Sequence, residues 1–105
     1  MTEARYQAGL IERLEQRFPG CFILKNDPQY KQGVPDLTLL WGPQWALLEV
    51  KARATAADRP NQTYYVEELN NMGFAAKIYP ENEEEVLAAL EQAFASRGPA
   101  CLPQS

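Results

Sequence analysis

The sequence predicts an α/β protein in which helices cover a central mixed sheet. Near each end of the 105-residue chain, apolar residues recur every three or four positions, as on one face of a helix. In the middle, two apolar runs flank Gly42-Pro43, as in a β-hairpin. Adding the shorter segments gives the order α-β-β-β-α-β-α. At this length we expect one domain, over residues 1–97, followed by a flexible tail over residues 98–105.

The first element is an amphipathic helix from about Thr2 to Phe18, with Thr2 as N-cap and Pro19-Gly20 as the stop. Its apolar face consists of Tyr6, Leu10, Ile11, Leu14 and Phe18. Glu3 falls on the same stripe, whereas Glu12 falls almost opposite. Either Glu3 points toward a functional site, or it sits in the first turn, where an acid favours the helix dipole. The spacing leaves both explanations open.

Residues 33–51 form the predicted hairpin, after a short strand over Cys21–Lys25 and a loop over Asn26–Val34. If Gly42 and Pro43 are the two loop residues, position 41 pairs with 44. That register places Asp36 directly opposite Glu49, with Lys51 next along on the same face. Cross-strand Cβ atoms lie about 4.5–5.5 Å apart, and two carboxylates on such a pair repel each other unless a cation neutralises them. We therefore take this hairpin as the candidate active site, on the condition that the turn has two residues.

The second half of the chain contains a helix, a strand and a last helix. Pro60 suits the first turn of a helix that runs to about Met72 and stops at Gly73. Gln62 is a polar residue at the start of its otherwise apolar stripe. A strand follows over residues 74–79, and Asn82 with Glu85 resembles a capped start of the last helix. The buried face of that helix is predicted to be Val86, Leu87, Leu90 and Phe94, and the acidic run 81–85 is attributed to capping and dipole effects.

The composition of the chain excludes several kinds of catalytic and metal-binding site. The chain has no histidine, which excludes a His-dependent triad, and no paired cysteine spacing, which argues against zinc. We expect Cys21 to be a small buried apolar residue and Cys101 to be an exposed thiol in the tail. No apolar run approaches the roughly 20 residues that span a bilayer, and the N-terminus lacks signal-peptide features. We therefore expect a cytoplasmic protein without a membrane partner.

Charge is distributed unevenly around a net value of −4. Residues 1–60 hold eight Lys/Arg and seven Asp/Glu, whereas residues 61–105 hold two and seven. If a metal neutralises Asp36 and Glu49, the stretch 25–59 becomes locally basic, which suits a phosphate-bearing partner. The candidate substrate-binding residues are Lys25, Lys31, Arg53 and Arg59. Alternatively, these four side chains belong to an ordinary solvated surface and bind no substrate.

The residues of the hairpin suit phosphodiester hydrolysis. Asp36 and Glu49 offer oxygen ligands to Mg²⁺ or Mn²⁺, and the backbone carbonyl of Val50 offers another. Such an ion polarises a phosphate and helps to ionise a bound water. Lys51 would orient or deprotonate that water, or stabilise developing charge.

The pattern Gly33-Val34-Pro35-Asp36, then Glu49-Val50-Lys51, then Gln62, resembles the PD-(D/E)xK nuclease superfamily. It is most similar to the small stand-alone VRR-NUC-type nucleases of bacteriophages and prophages, over nearly the whole chain. The resemblance implies a restriction-endonuclease-like α-β-β-β-α-β core with a C-terminal helix. It also implies a metal-dependent deoxyribonuclease that acts as a homodimer in a bacterial or phage-infected cell, with branched or junction DNA as a candidate substrate.

The resemblance assigns roles to individual residues. Asp36 and Glu49 match the metal-binding acids, Lys51 the catalytic lysine, and Gln62 the glutamine on the next helix. Glu3 matches the glutamate of the N-terminal helix that assists the metal site, and its helical phase favours it over Glu12.

Two other functions fit the sequence less well. One is a non-catalytic nucleic-acid-binding or scaffold protein that retains the nuclease fold, against which the intact set of site residues argues. The other is a partner-binding module that uses exposed aromatic residues, namely Tyr30, Trp41, Trp45 and Tyr64. We expect most of these aromatics to lie in the core or at the hairpin end.

Overall fold

Three helices and four strands follow one another as α-β-β-β-α-β-α in the computed structural model, which describes residues 1–97. The elements are α1 (Glu3–Arg17), β1 (Phe22–Lys25), β2 (Leu37–Trp41), β3 (Gln44–Val50), α2 (Gln62–Met72), β4 (Ala75–Ile78) and α3 (Glu83–Arg97). The predicted α/β class, the α-β-β-β-α-β core and the C-terminal helix are confirmed. The predicted flexible tail over residues 98–105, with Cys101, lies outside the described residues.

The four strands form one mixed sheet in the order β1-β2-β3-β4. The first three strands are antiparallel to their neighbours, and β4 runs parallel to β3. Alternate side chains point to opposite faces, so the sheet has an inner face and an outer face. The inner face carries Leu37, Leu39, Ala46, Leu48, Val50 and Ile78, all buried.

Helices α1 and α3 pack on the inner face and complete the core. The stripe predicted for α1 is buried, apart from Ile11, which is partly buried, and all four residues predicted for α3 are buried. The side chain of Thr2 accepts a hydrogen bond from the Arg5 N–H at 3.1 Å, which confirms it as the N-cap of α1. Cys21 is only partly buried against this core, so it is less enclosed than predicted.

Helix α2 lies on the outer face, over β3 and β4. At its C-terminal end, a Cβ added to Gly73 would lie 2.4 Å from the Trp45 ring, so the helix end approaches the sheet as closely as a glycine allows. Trp41, at the hairpin end, packs edge-on against Phe18. Both tryptophans therefore belong to the packed interior and hairpin end, whereas Tyr30 and Tyr64 are exposed.

Helix α2 begins two residues later than the sequence predicts. Asn61 has φ 71°, in the left-handed region, and the Gln62 N–H donates to the Arg59 carbonyl at 3.2 Å. A residue in that region cannot belong to a right-handed helix, so Pro60 stands in a turn before α2 and not in its first turn.

Glu83, Glu84 and Glu85 lie in the first turn of α3, as the predicted dipole effect requires, and two of them have a further role. Glu83 accepts hydrogen bonds from the Tyr6 hydroxyl at 2.8 Å and from the Arg13 guanidinium at 2.6 and 2.9 Å. Glu84 binds Arg17 in the same way, so these acids tie α3 to α1. The side chain of Asn82 binds the Tyr79 N–H and the Lys77 carbonyl, and therefore fixes the end of β4.

Among the helices of residues 1–97, none is both long enough and apolar enough to cross a bilayer.

Candidate active site

The hairpin has the predicted two-residue turn. Trp41 pairs with Gln44, and the ladder continues to the pair Leu37 and Leu48. Gly42 has φ 60°, a conformation that glycine adopts at little cost. One step beyond the last ladder pair, the same register places Asp36 opposite Glu49, as the sequence predicts.

Asp36 lies at the N-terminal end of β2, half-buried, and is held by β3. Its Oδ2 accepts a hydrogen bond from the Val50 N–H at 2.8 Å. Its backbone carbonyl accepts another from the Asn26 N–H at 2.8 Å. Burial raises the pKa of Asp36, and the Val50 N–H and the positive charges of Arg59 and Lys51 oppose that rise.

Glu49 lies near the end of β3 and is 1% exposed. Its Oε2 accepts a hydrogen bond from the Gln62 amide. Its Oε1 is buried and has no hydrogen-bond partner within the described residues. Burial, followed by the negative charge of Asp36, raises the pKa of Glu49 to about 7, against the opposing effect of Lys51. A buried carboxylate oxygen without a partner is costly, so this atom is suited to a ligand that the protein itself does not supply.

Lys51 follows directly after β3 and is 2% exposed. Its Nζ donates to Gln62 Oε1 at 2.8 Å and to the Ala57 carbonyl at 3.1 Å, and lies 3.5 Å from Glu49 Oε2. These contacts compensate for the burial of a charged amine. They also hold its position relative to the two carboxylates.

Gln62 connects the acid to the amine. Its Nε2 donates to Glu49, while its Oε1 accepts from Lys51 and, at 2.6 Å, from the Arg59 N–H. The orientation of the amide is thereby fixed, because only one end can donate and only the other can accept. Gln62 therefore lies between Glu49 and Lys51 and, through its bond with the Arg59 N–H, also holds the start of α2.

A close backbone contact holds the two halves of the site together. Gly33, with φ +94°, approaches the start of α2 so closely that an added Cβ would lie 2.6 Å from the Asn61 Cβ and 2.7 Å from the Pro60 carbonyl oxygen. Gly33 precedes Asp36 by three residues, and Asn61 precedes Gln62. The contact therefore sets the loop that carries the acid against the helix that carries the amide.

Glu3 lies at the margin of the site. Its Oε2 is 3.7 Å from Arg59 Nη2, and both side chains are partly exposed. Its negative charge adds to the rise in the pKa of Glu49, after burial and Asp36. The structure thus brings Glu3 close enough for its charge to act on the site, and pairs it with Arg59.

The four candidate substrate-binding residues are all exposed, but they are not equally placed. Arg59 lies near enough to Asp36 to affect its pKa. Lys25 ends β1, Lys31 lies in the loop before β2, and Arg53 follows β3. These three lie on segments adjoining the site.

Lys77 is a charged neighbour of the site that the sequence did not reveal. It pairs with Glu49 in the parallel ladder, and its Nζ lies 2.8 Å from Asp58 Oδ1. The Lys77 amine holds the pKa of Asp58 below its usual range. A cavity of about 290 Å³ adjoins Glu49 here, lined by Glu49, Asp58, Gln62, Thr63, Val66, Glu67 and Lys77. The alternation of β4 marks Lys77 as a polar exception, but only the parallel register places it beside Glu49.

The donor set fits a small hard cation. Asp36 and Glu49 present carboxylates from adjacent strands, and Glu49 Oε1 is unsatisfied. In an antiparallel ladder, the N–H and C=O of a residue face the same neighbouring strand, so the Val50 carbonyl lies on the Asp36 side. Within residues 1–97 no three His, Cys, Asp or Glu side chains converge as ligands. Two carboxylates and a carbonyl, with waters for the rest, are typical of Mg²⁺ and not of zinc.

Comparison with known proteins adds no assignment. No protein-family model matches the sequence, and no curated protein is significantly similar to it. The functional argument therefore depends on the geometry of Asp36, Glu49, Lys51 and Gln62.

Proposed function

We propose that this protein is a divalent-metal-dependent endonuclease that hydrolyses DNA phosphodiester bonds. The observation that carries the proposal is a pair of facing carboxylates beside a buried lysine, with one buried carboxylate oxygen left without a partner. A purely structural ion pair gives no reason to bring a second acid, Asp36, up to the same point. The similarity of the motif to PD-(D/E)xK nucleases supports the same reaction.

In this proposal Asp36, Glu49 and the Val50 carbonyl hold Mg²⁺ or Mn²⁺. When bound, the ion supplies Lewis acidity toward a phosphate oxygen and lowers the pKa of a coordinated water. The opposite strand and the Val50 N–H keep Asp36 in position, and Gln62 keeps Glu49 in position.

Lys51 supplies the positive charge of the reaction. Its amine lies on the same face as the carboxylates and is excluded from bulk water, where its electrostatic effect on a phosphate is stronger than in solvent. Lys51 stabilises the charge that develops on the phosphate, or orients the attacking water. Gln62 keeps the amine at a fixed distance from Glu49, so that the two do not form a closer ion pair.

The protein would hold its substrate through the exposed cations near the site. Arg59 is the nearest of them to Asp36, and its pairing with Glu3 is exposed and therefore weak enough for a phosphate to replace. DNA is the proposed partner, and the resemblance to junction-resolving enzymes implies a homodimer. These cationic contacts predict that binding weakens as the salt concentration rises, because each contact to a phosphate releases a counterion from the DNA.

Incubation with linear, nicked, flapped and four-way DNA, with and without Mg²⁺ and Mn²⁺, tests the function directly. We expect cleavage only when a divalent ion is present. Asp36→Asn and Lys51→Met should each lower the rate by at least about 100-fold, because the first removes a charged ligand of the metal ion and the second removes the positive charge that acts on the reacting phosphate. Circular dichroism should show that both variants remain folded.

Glu12→Gln provides the control, since Glu12 is an exposed acid of α1 on the side of the helix away from its buried stripe. It should cleave as the wild type does. Cleavage that persists in both site variants would show that these residues are not the catalytic ones. Cleavage of no substrate under any condition, with DNA still bound, would favour the non-catalytic nucleic-acid-binding function.

A further inference from the structure

The outer face of the sheet continues from the active site as an exposed apolar surface. Phe22, Leu24 and Asn26 alternate along the outer side of β1, and Leu40, Thr38 and Asp36 lie opposite them on β2. We call Phe22, Leu24 and Leu40 the apolar platform. Phe22 is 70% exposed, Leu24 51% and Leu40 36%.

The platform lies on the half of the outer face that α2 leaves open. Helix α2 contacts β3 and β4, where Trp45 and Ala75 are covered. Over β1 and β2, no helix or strand of residues 1–97 covers the outer face. Three large exposed apolar side chains that adjoin one another form a contiguous patch, and such patches often mark an interaction site.

The platform is continuous with the catalytic residues. Leu24 lies opposite Thr38, two positions along the sheet from Asp36, and Leu40 lies four positions along, so the platform begins about 8 Å from Asp36 and extends to about 13 Å. Thr38 lies between them, and its hydroxyl donates to Asn26 Oδ1 at 3.0 Å. A ligand that spans this distance would touch both the platform and the site.

The distribution of charge around the site favours a path over β1 and β2 for a bound polyanion. On the other side of the site, α2 exposes Glu67 and Glu68, which repel phosphate. Toward β1 and β2, Lys31 lies exposed in the loop that joins these two strands, whereas Lys25 pairs with Leu37 and therefore points to the inner face. A nucleic-acid strand would therefore leave the site over β1 and β2.

We propose that the platform binds the unpaired bases of a DNA strand, next to the bond that is cleaved. This inference rests on the proposed function, and it narrows the substrate to DNA with a single-stranded segment, such as a flap or an open junction. The faces of bases in a duplex are stacked on each other, so only unpaired bases can lie on Phe22 and Leu24. The platform offers no polar groups for a base edge, so it selects unpaired structure without reading sequence.

A second copy of the chain is the competing occupant, because β1 is an edge strand with apolar side chains. β1 has only four residues, too few for its edge alone to bury the roughly 600 Å² per partner of a stable dimer. Oligomeric state is therefore measured in the same experiment.

The test compares binding of a fluorescein-labelled 20-nucleotide single strand with that of a duplex of the same sequence. Anisotropy is measured in EDTA, so that no cleavage is needed for the result. Phe22→Ala should weaken binding of the single strand roughly 5- to 100-fold, as loss of one base–aromatic stack does, and leave duplex binding unchanged. Tyr64→Ala is the matched control, because Tyr64 is an aromatic residue of α2 that is 59% exposed.

A second measurement does not depend on affinity. A single strand that contains 5-iodouracil, irradiated on the wild-type protein, should cross-link to the peptide that contains Phe22 and not to the peptide that contains Tyr64. Equal effects of Phe22→Ala and Tyr64→Ala, or equal weakening of single strand and duplex, would overturn the inference. So would a dimer that Phe22→Asp dissociates while single-strand binding is unchanged. If none of the DNAs were cleaved but the protein still bound single strands selectively, the proposed function would be refuted and the inference about the platform would still hold.

Discussion

Glu49 should make the metal-free protein less stable as the pH rises from about 4.5 to 7. Its pKa rises from 4.5, the ordinary value, to about 7 in the folded protein, because burial and Asp36 disfavour the ionised form. In this interval the unfolded chain has lost the proton that the folded protein still holds. Stability therefore falls with increasing pH, by about 1.4 kcal/mol per pH unit at most. Over the whole interval the upper bound is roughly 3–4 kcal/mol.

The direction of this effect distinguishes Glu49 from the other perturbed acids. A raised carboxyl pKa contributes stability that is complete below the unfolded value and is lost as the pH passes through the folded value. Asp36 changes stability in the same direction, starting from a lower pH. Asp58 and Glu83 have lowered pKa values, so their contributions are complete above about pH 4.5 and decline only in more acidic solution. The interval from pH 5 to 7 therefore reports mainly on Glu49.

The assay is urea denaturation in EDTA at pH 5, 6 and 7, for the wild type and for Glu49→Gln. The substitution removes the titrating group and retains a side chain of the same shape. We expect the free energy of unfolding of the wild type to fall across this range, and that of Glu49→Gln to change much less. Saturating Mn²⁺ should reverse the trend, because a bound cation requires an ionised carboxylate and stabilises the folded state more as the pH rises.

Parallel pH profiles for the two proteins in EDTA would refute the reasoning, because they would show that Glu49 titrates alike in the folded and unfolded chains. A wild-type profile that rises between pH 5 and 7 would refute it too. Absence of any effect of Mn²⁺ on the free energy of unfolding at pH 7 would contradict the metal site but not the burial of the acid.

Two further substitutions test how the site and the core are held. In urea titrations, Gly33→Ala should lower the free energy of unfolding by about 2–5 kcal/mol, because it adds a clash with Asn61 to a left-handed φ. The control is Gly20→Ala, at a residue with a similar φ and nothing within 4 Å, which should lower it by about 1–2 kcal/mol. Equal losses in the two variants would contradict the contact between Gly33 and Asn61. Glu83→Ala should lower the free energy of unfolding by about 1–3 kcal/mol, because it leaves the Tyr6 hydroxyl and the Arg13 guanidinium without their acceptor. Glu84→Ala removes a far more exposed ion pair and should lower it by under about 1 kcal/mol, measured by thermal or urea unfolding. A larger loss for Glu84→Ala than for Glu83→Ala would contradict this order.

Those parts of the fold that depend on local pattern could be predicted from the sequence. The Gly42-Pro43 turn sets the hairpin register, and the register brings Asp36 opposite Glu49 without any knowledge of the rest of the molecule. The apolar stripes of α1 and α3 likewise specify their buried faces. Gln62 was recognisable because a polar residue began an apolar stripe.

The features of the fold and of the site that depend on contacts between distant residues could not be predicted from local pattern. The parallel pairing of β4 with β3 sets Lys77 beside Glu49 across an intervening helix, and no local signal fixes that register. Glu83 binds Arg13, 70 residues away along the chain, whereas its own neighbours suggested only a helix start. The late start of α2 follows from the left-handed conformation of Asn61, which packs against Gly33, again from another part of the chain.

The position of Gln62 as the first residue of α2 couples the site to local unfolding. The first turn of a helix is its least protected part, and here it is closed by the bond from the Tyr65 N–H to the Asn61 carbonyl at 3.0 Å. When that turn frays, Gln62 leaves Glu49 and Lys51 at the same moment. Such fraying would remove the common partner of the acid and the amine in a single step, so we expect the site and the end of the helix to open together.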